Sequence, residues 1–286
     1  MSAAVQPGYA PPNGPTRPER GWPRWLVVAT VLWGVLLATL TWYSVREDGP
    51  TVREQRTLAQ AGPVVDRTIG DLAAAAGPDA LIELTPSTVE RGCRITPFED
   101  GSTLERGVDV RVVGEEPKAL LDRIAEALPD RYRAVVLLTR EGIRLRADAG
   151  DFVTVRGQER EAGIVRLTAD TGCRPLGAGY RPTPVSGADA EVDAVGAALR
   201  ALGRPAAGGP ELVDAPCPDG GSIRTAWATA GPGAAPTSAA GVLAPLATGP
   251  AVVDTPELYA YRSGPVTVHV HLAADPPSVS ASTPCR

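Results

Sequence analysis

Two histidines and four cysteines carry most of the chemistry this chain could perform. His269 and His271 alternate with Val268, Val270 and Leu272, so both rings fall on one face of a strand. At that spacing the side chains stand about 7 Å apart, near enough to share a metal only if their rotamers converge. No third ligand adjoins them, and Asp275 follows only after a turn. The pattern reads as two solvent-facing histidines, with a metal or pH-sensing site as the alternative. Nucleophile signatures fail: there is no G-x-S-x-G, and Ser222 follows a turn in GGSIR. Asp148 and Asp151 are ordinary surface carboxylates on which a hydrolase could draw. The Asp100-Gly101 and Asp219-Gly220 turns lack the spaced carboxylates of an EF-hand loop and read as hairpin turns. No cofactor is expected.

The cysteines Cys93, Cys173, Cys217 and Cys285 contain no C-x-x-C pair, which excludes a close-paired metal site or a redox dithiol. Four cysteines allow three pairings. An internal repeat selects one of them. Val64, Val65, Ile69 and Leu72 form a helical face that closes at Gly77-Pro78, and Val192, Val195, Leu199 and Leu202 form another that closes at Gly203. A strand with a cysteine follows in each copy, then a turn, then an alternating strand, GVDVRVV or SIRTAWATA. Pro117 and Pro236 suit helix starts, although Pro245 should cut the second helix short. Val-Thr-Val recurs at 153–155 and 266–268, with a cysteine 18 and 17 residues beyond its second valine. Six features in one order imply a duplication, so each copy should close on itself through Cys93–Cys173 and Cys217–Cys285.

These elements make an α+β protein with two tandem duplicated lobes, 63–175 and 176–286, joined by the Pro- and Gly-rich stretch 175–187. Each lobe is expected as an antiparallel sheet with two helices on one face. Trp227, Tyr259, Tyr261, His269 and His271 are the candidate binding surface of the second lobe. Tyr259 and Tyr261 share a strand face, which equally suits core packing.

Ahead of the lobes, Trp25 to Val45 is a run of 21 uncharged residues between Arg24 and Arg46. It is long enough to span a bilayer core, and Trp22, Trp25, Trp42 and Tyr43 would sit at the two headgroup layers. The run ends in bulky TLTWYSV, unlike a signal-peptide cleavage site. It therefore reads as an uncleaved anchor over 25–45. Arginines tie across it, and the placement of all four cysteines after it orients the chain N-in, C-out, with 46–62 as a juxtamembrane stalk. Residues 1–24 hold six prolines and read as a disordered cytoplasmic tail.

The composition allows a packed core, with 43% hydrophobic residues. The net charge of −5 and the absence of a long basic block argue against nucleic-acid binding. Lys118 is the only lysine among 28 cations, and Ala, Gly and Pro abound. In this style of composition the chain resembles single-pass extracytoplasmic membrane proteins of high-GC Gram-positive bacteria. The expected role is that of a plasma-membrane-anchored binding or scaffold protein of the cell envelope, engaging an envelope protein or a cell-wall component. The alternative is an envelope hydrolase with a carboxylate site between the lobes.

Overall fold

The computed structural model describes residues 23–47, 56–96, 98–161, 163–233 and 238–285. Residues 1–22 of the proposed tail, 48–55 of the stalk and Pro236 lie outside them. The chain divides into two compact units, Met1–Thr51 and Val52–Arg286. In the first, α1 (Arg24–Glu47) is a helix long and apolar enough to cross a membrane, and none of its apolar stretch is buried by protein.

The second unit contains two antiparallel sheets. It opens with α2 (Leu58–Ala75), where Thr57 N donates to Gln60 Oε1 at 2.9 Å across the first turn. Residues 58–62, expected in the stalk, thus belong to the folded unit, with Leu58 and Ala61 fully buried. Strands β1 (Leu81–Leu84), β2 (Thr88–Thr96) and β3 (Glu99–Arg111) follow, then α3 (Pro117–Ala127), which starts at Pro117 as expected. A meander closes the first half: β4 (Val135–Thr139), β5 (Gly142–Asp148), β6 (Thr154–Glu161) and β7 (Ile164–Asp170). The sheet runs β1-β3-β7-β6-β5-β4, with β2 also on β3.

The second half contains α4 (Asp189–Ala201), β8 (Glu211–Pro216), β9 (Ser222–Thr229) and α5 (Ala239–Leu243). It ends with β10 (Val253–Asp254), β11 (Leu258–Ser263), β12 (Val266–His271) and β13 (Ser278–Thr283). Its sheet runs β10-β11-β12-β13-β9-β8, the same order of counterparts as the first. Hairpin β8–β9 matches β2–β3, and a bridge between Ala206 and Ala230 stands where β1 meets the far end of β3. The Val-Thr-Val segments fall in equivalent places, at β6 and β12. Four strands follow the second helix of each half. Pro245 ends α5 after five residues and leaves a single 3-10 turn. The Asp100-Gly101 turn is corrected: both residues lie within β3, opposite Arg94 and Cys93, because β3 already begins at Glu99. Asp219-Gly220 does form the β8–β9 turn, with Gly220 at φ 100°.

Both disulfides link cysteines of the same half. Cys93–Cys173 and Cys217–Cys285 have Cα separations of 5.8 and 5.7 Å. The halves nevertheless share a core. Val65, Ile69 and Leu72 of α2 cluster with Val108 and Leu167 of the first sheet, and also with Val213, Ala215 and Ile223 of the second. Helix α2 lies so close to β8 that a Cβ on Gly70 would sit 1.7 Å from the Pro216 carbonyl oxygen. The linker is packed as well. The Tyr180 ring covers Gly62, where a Cβ would meet it at 2.4 Å. Arg174 is fully buried and donates only to main-chain oxygens: Nε to Thr171 O at 2.8 Å, Nη1 to Arg56 O at 3.1 Å, and Nη2 to Asp151 O. Leu58 N donates to Pro175 O at 3.0 Å.

Candidate functional site

Strand alternation gives the second sheet two different faces. Val266, Val268 and Val270 of β12, Val279 and Ala281 of β13, and Ala226 and Ala228 of β9 pack under α4. The opposite registers carry Thr267, His269, His271, Ser280, Ser282, Thr225 and Trp227. That face is polar, yet Thr225, His269, Ser280 and Ser282 are at most 2% exposed. What covers it is β1 of the first half. Ile82 and Leu84 turn into the first core, while Glu83 enters the polar face.

Ser280 Oγ donates a short hydrogen bond to Glu83 Oε1. His271 Nε2 lies 2.9 Å from the same oxygen, and His269 Nδ1 lies 3.6 Å away. Trp227 stacks on His271 with ring centroids 5.8 Å apart, and its Nε1 donates to Leu84 O at 2.8 Å. Leu84 N donates to Thr225 Oγ1 at 3.1 Å, and that hydroxyl is 2.9 Å from Ser282 Oγ. Side chains of the second sheet thus satisfy the outer main-chain groups at Leu84.

Burial alone would raise the Glu83 carboxyl. His269 most of all, then His271 and Ser280, more than offset it and hold it at about 2. Burial pushes His269 below its usual value, with Glu83 pulling the other way. Burial thus favours the uncharged form of His269 while Glu83 favours the charged one, and Ser280 donates to the Glu83 carboxylate directly. Among the described residues, no three His, Cys, Asp or Glu side chains are placed to hold a metal ion.

The expected surface is corrected here. His269 is not solvent-facing but buried, because β1 covers its strand face; His271 and Trp227 are half-buried in the same seam. Tyr259 and Tyr261 are 2% and 1% exposed, inside the second core with their rings 6.0 Å apart. The structure brings Trp227 and the two histidines together and puts the tyrosines on the other side of the sheet. Glu83 was missed by the sequence reading. The available signal was an acid inside the apolar run LIEL, in a chain with only two histidines to neutralise it.

A groove of about 520 Å³ opens elsewhere between the halves, among α2, β8 and the linker. Its floor is an ion-pair cluster. Arg106 donates through Nη1 to Asp66 and through Nη2 to Asp214 O at 2.7 Å, while Tyr180 OH donates to Asp66 Oδ1 at 2.9 Å. Arg106 is 5% exposed, and its Nε has no hydrogen-bond partner among the described residues. Burial raises Tyr180, and it also raises Asp214 against the pull of Arg106. Arg67 and Glu211 stand exposed at the rim. Ser222 also lines the groove, but no histidine does. Asp148 and Asp151 are outside it, paired with Arg133 at 2.7 Å and Arg56 at 3.0 Å.

The chain matches no family model, no curated protein and no solved structure.

Proposed function

We propose that this is a single-pass plasma-membrane protein, N-terminus in the cytoplasm. It presents a duplicated, disulfide-closed unit outside the membrane as a binding or scaffold module of the cell envelope. The observation that carries this reading is the uncharged helical stretch of α1 followed by a folded unit whose cysteines are all paired. The shared strand order of the two sheets supports the duplication. The groove is the docking place for an envelope protein or wall component. Its ionised floor is already engaged in Asp66–Arg106 pairing, so the floor holds shape, while Arg67 and Glu211 at the rim remain open to a ligand. Engaged carboxylates favour binding over hydrolysis.

The test has two parts. The intact chain should stay with membranes through salt and carbonate washing, and protease added to spheroplasts should digest residues beyond Arg56. Release into the soluble fraction, or protection of the large unit in sealed cells, would overturn the topology. Reversing both rim charges, Arg67→Glu with Glu211→Arg, should remove co-purifying partners while leaving the fold intact; retention of every partner would remove the groove from consideration.

A further inference from the structure

Exposed sheet edges offer unpaired main-chain groups, and proteins normally guard them with charge, brevity or cover. Nearly every edge in this fold is guarded. Leu84 of β1 is capped by Thr225 and Trp227. Strand β2 carries Glu90, Arg91 and Arg94 and two register shifts. Arg106 reaches the Asp214 carbonyl of β8, and β10 is two residues long and contains Asp254. Strand β4 is the exception. Its sequence is Val-Val-Leu-Leu-Thr, without charge or proline, and it ends the first sheet. Val135, Leu137 and Leu138 are 49%, 43% and 85% exposed.

The register of β4 decides what can add to it. A two-residue turn joins Thr139 to Gly142, so that flanking pair is hydrogen-bonded. Alternation then aims the main-chain groups of Val135, Leu137 and Thr139 at β5. Those of Val136 and Leu138 point outward. An antiparallel copy of the same strand, centred on Leu137, places Val136 opposite Leu138 and Leu138 opposite Val136. Both outward pairs then exchange hydrogen bonds, and the two Leu137 side chains meet at the closely spaced non-bonded position. The same register brings Arg133 at one end against Glu141 of the copy, and Glu141 against its Arg133. Each is held meanwhile only by an exposed intrachain pair, Arg133–Asp148 or Glu141–Arg144. Main-chain phase, apolar contact and end charges agree on one arrangement.

The geometry points to β4 as a homodimer edge: two copies of this chain pair antiparallel through Val135–Thr139 about a twofold axis at Leu137. The partner is a second copy, because the strand is complementary to itself in side-chain type, hydrogen-bond phase and terminal charge.

The experiment uses the full chain extracted in mild detergent. Leu137→Cys should give a disulfide-linked dimer on oxidation, since Cα atoms at a non-bonded antiparallel pair are about 4.5 Å apart, within disulfide reach. Val113→Cys, at an exposed site off the edge, should give none. Adding Leu138→Pro removes an outward donor that β5 does not use, and the cross-link should be lost. Peptide mapping that recovers Cys93–Cys173 and Cys217–Cys285 certifies the fold in each variant. Arg133→Glu should weaken cross-linking, and Arg133→Glu with Glu141→Arg should restore it. Failure of Leu137→Cys to cross-link, a cross-link indifferent to Leu138→Pro, or capture of a different protein by Leu137→Cys overturns the proposal.

Discussion

The Glu83 carboxylate is one of the contacts that join the two halves, and its surroundings bear on how the molecule should respond to acid. Burial holds His269 below its ordinary value in the folded state, so between its folded value and the unfolded value near 6.5 the folded state binds fewer protons. Stability is then complete above about pH 6.5 and falls as the pH drops through this window. Glu83 acts in the same sense at lower pH: its contribution is present above about 4.5 and is lost as the pH falls toward about 2. Urea titrations from pH 7.5 to 4 should show a declining midpoint, and His269→Gln should flatten the upper part of that decline. Glu83→Gln leaves Ser280 and the histidines without their anion and should cost about 3 kcal/mol at pH 7. A second residue prediction concerns Arg146 and Arg156, directly opposite each other on β5 and β6 and both exposed, with Arg156 also feeling the Glu105 carboxylate. Arg146→Glu should stabilise by about 0.5 kcal/mol in the same titration. The alternation of His269 with valines was legible in the sequence. Its burial was not, because the cover comes from residue 83, far away in the chain, and periodicity along one strand says nothing about what lies on its other face.

At the scale of elements, most of the sequence reading rested on local signals and those held. Apolar spacing located α2 and α4, Pro117 located the start of α3, and Pro245 foretold the brevity of α5. The Asp100-Gly101 reversal failed because turn-favouring residues also fit a bulged strand, and only the pairing partner distinguishes the two. Helix α2 shows the larger omission. Its apolar face was visible, but the small residues beside that face, Gly62 and Gly70, were not seen as the contact with Tyr180 and β8. Gly70→Ala drives a methyl into the Pro216 carbonyl and should cost about 3 kcal/mol, measured by thermal or urea unfolding. The two staples provide a paired comparison. Each closes a loop worth roughly 4 kcal/mol in the chain-entropy description. Replacing Cys217 and Cys285 with Ser should lower stability more than replacing Cys93 and Cys173, because the second half has only a five-residue α5 beside α4. Equal losses from the two pairs would remove that distinction.

The whole unit departs from two beads on a string. The two sheets share the orders β2-β3-β7-β6-β5-β4 and β8-β9-β13-β12-β11-β10, but a common core and the contacts of Glu83, Arg106 and Tyr180 join the halves. The second half expressed alone would expose its polar strand face and its α2-facing residues. The prediction at this scale is a single cooperative unfolding transition for residues 56–285, seen identically by Trp227 fluorescence and by hydrogen exchange in both sheets; two separated transitions would contradict it.

Arg174 adds a mechanical consequence. Just ahead of α2, the Arg56 carbonyl is gripped by Arg174, next to Cys173, while Leu58 is bonded to Pro175. Any tension transmitted along the polypeptide from α1 therefore reaches mid-chain before it can peel α2 from its sheets. The load is shared between the start of α2 and the covalent link to β2. Force applied at Arg56 would meet these ties before it met the hydrogen bonds of α2.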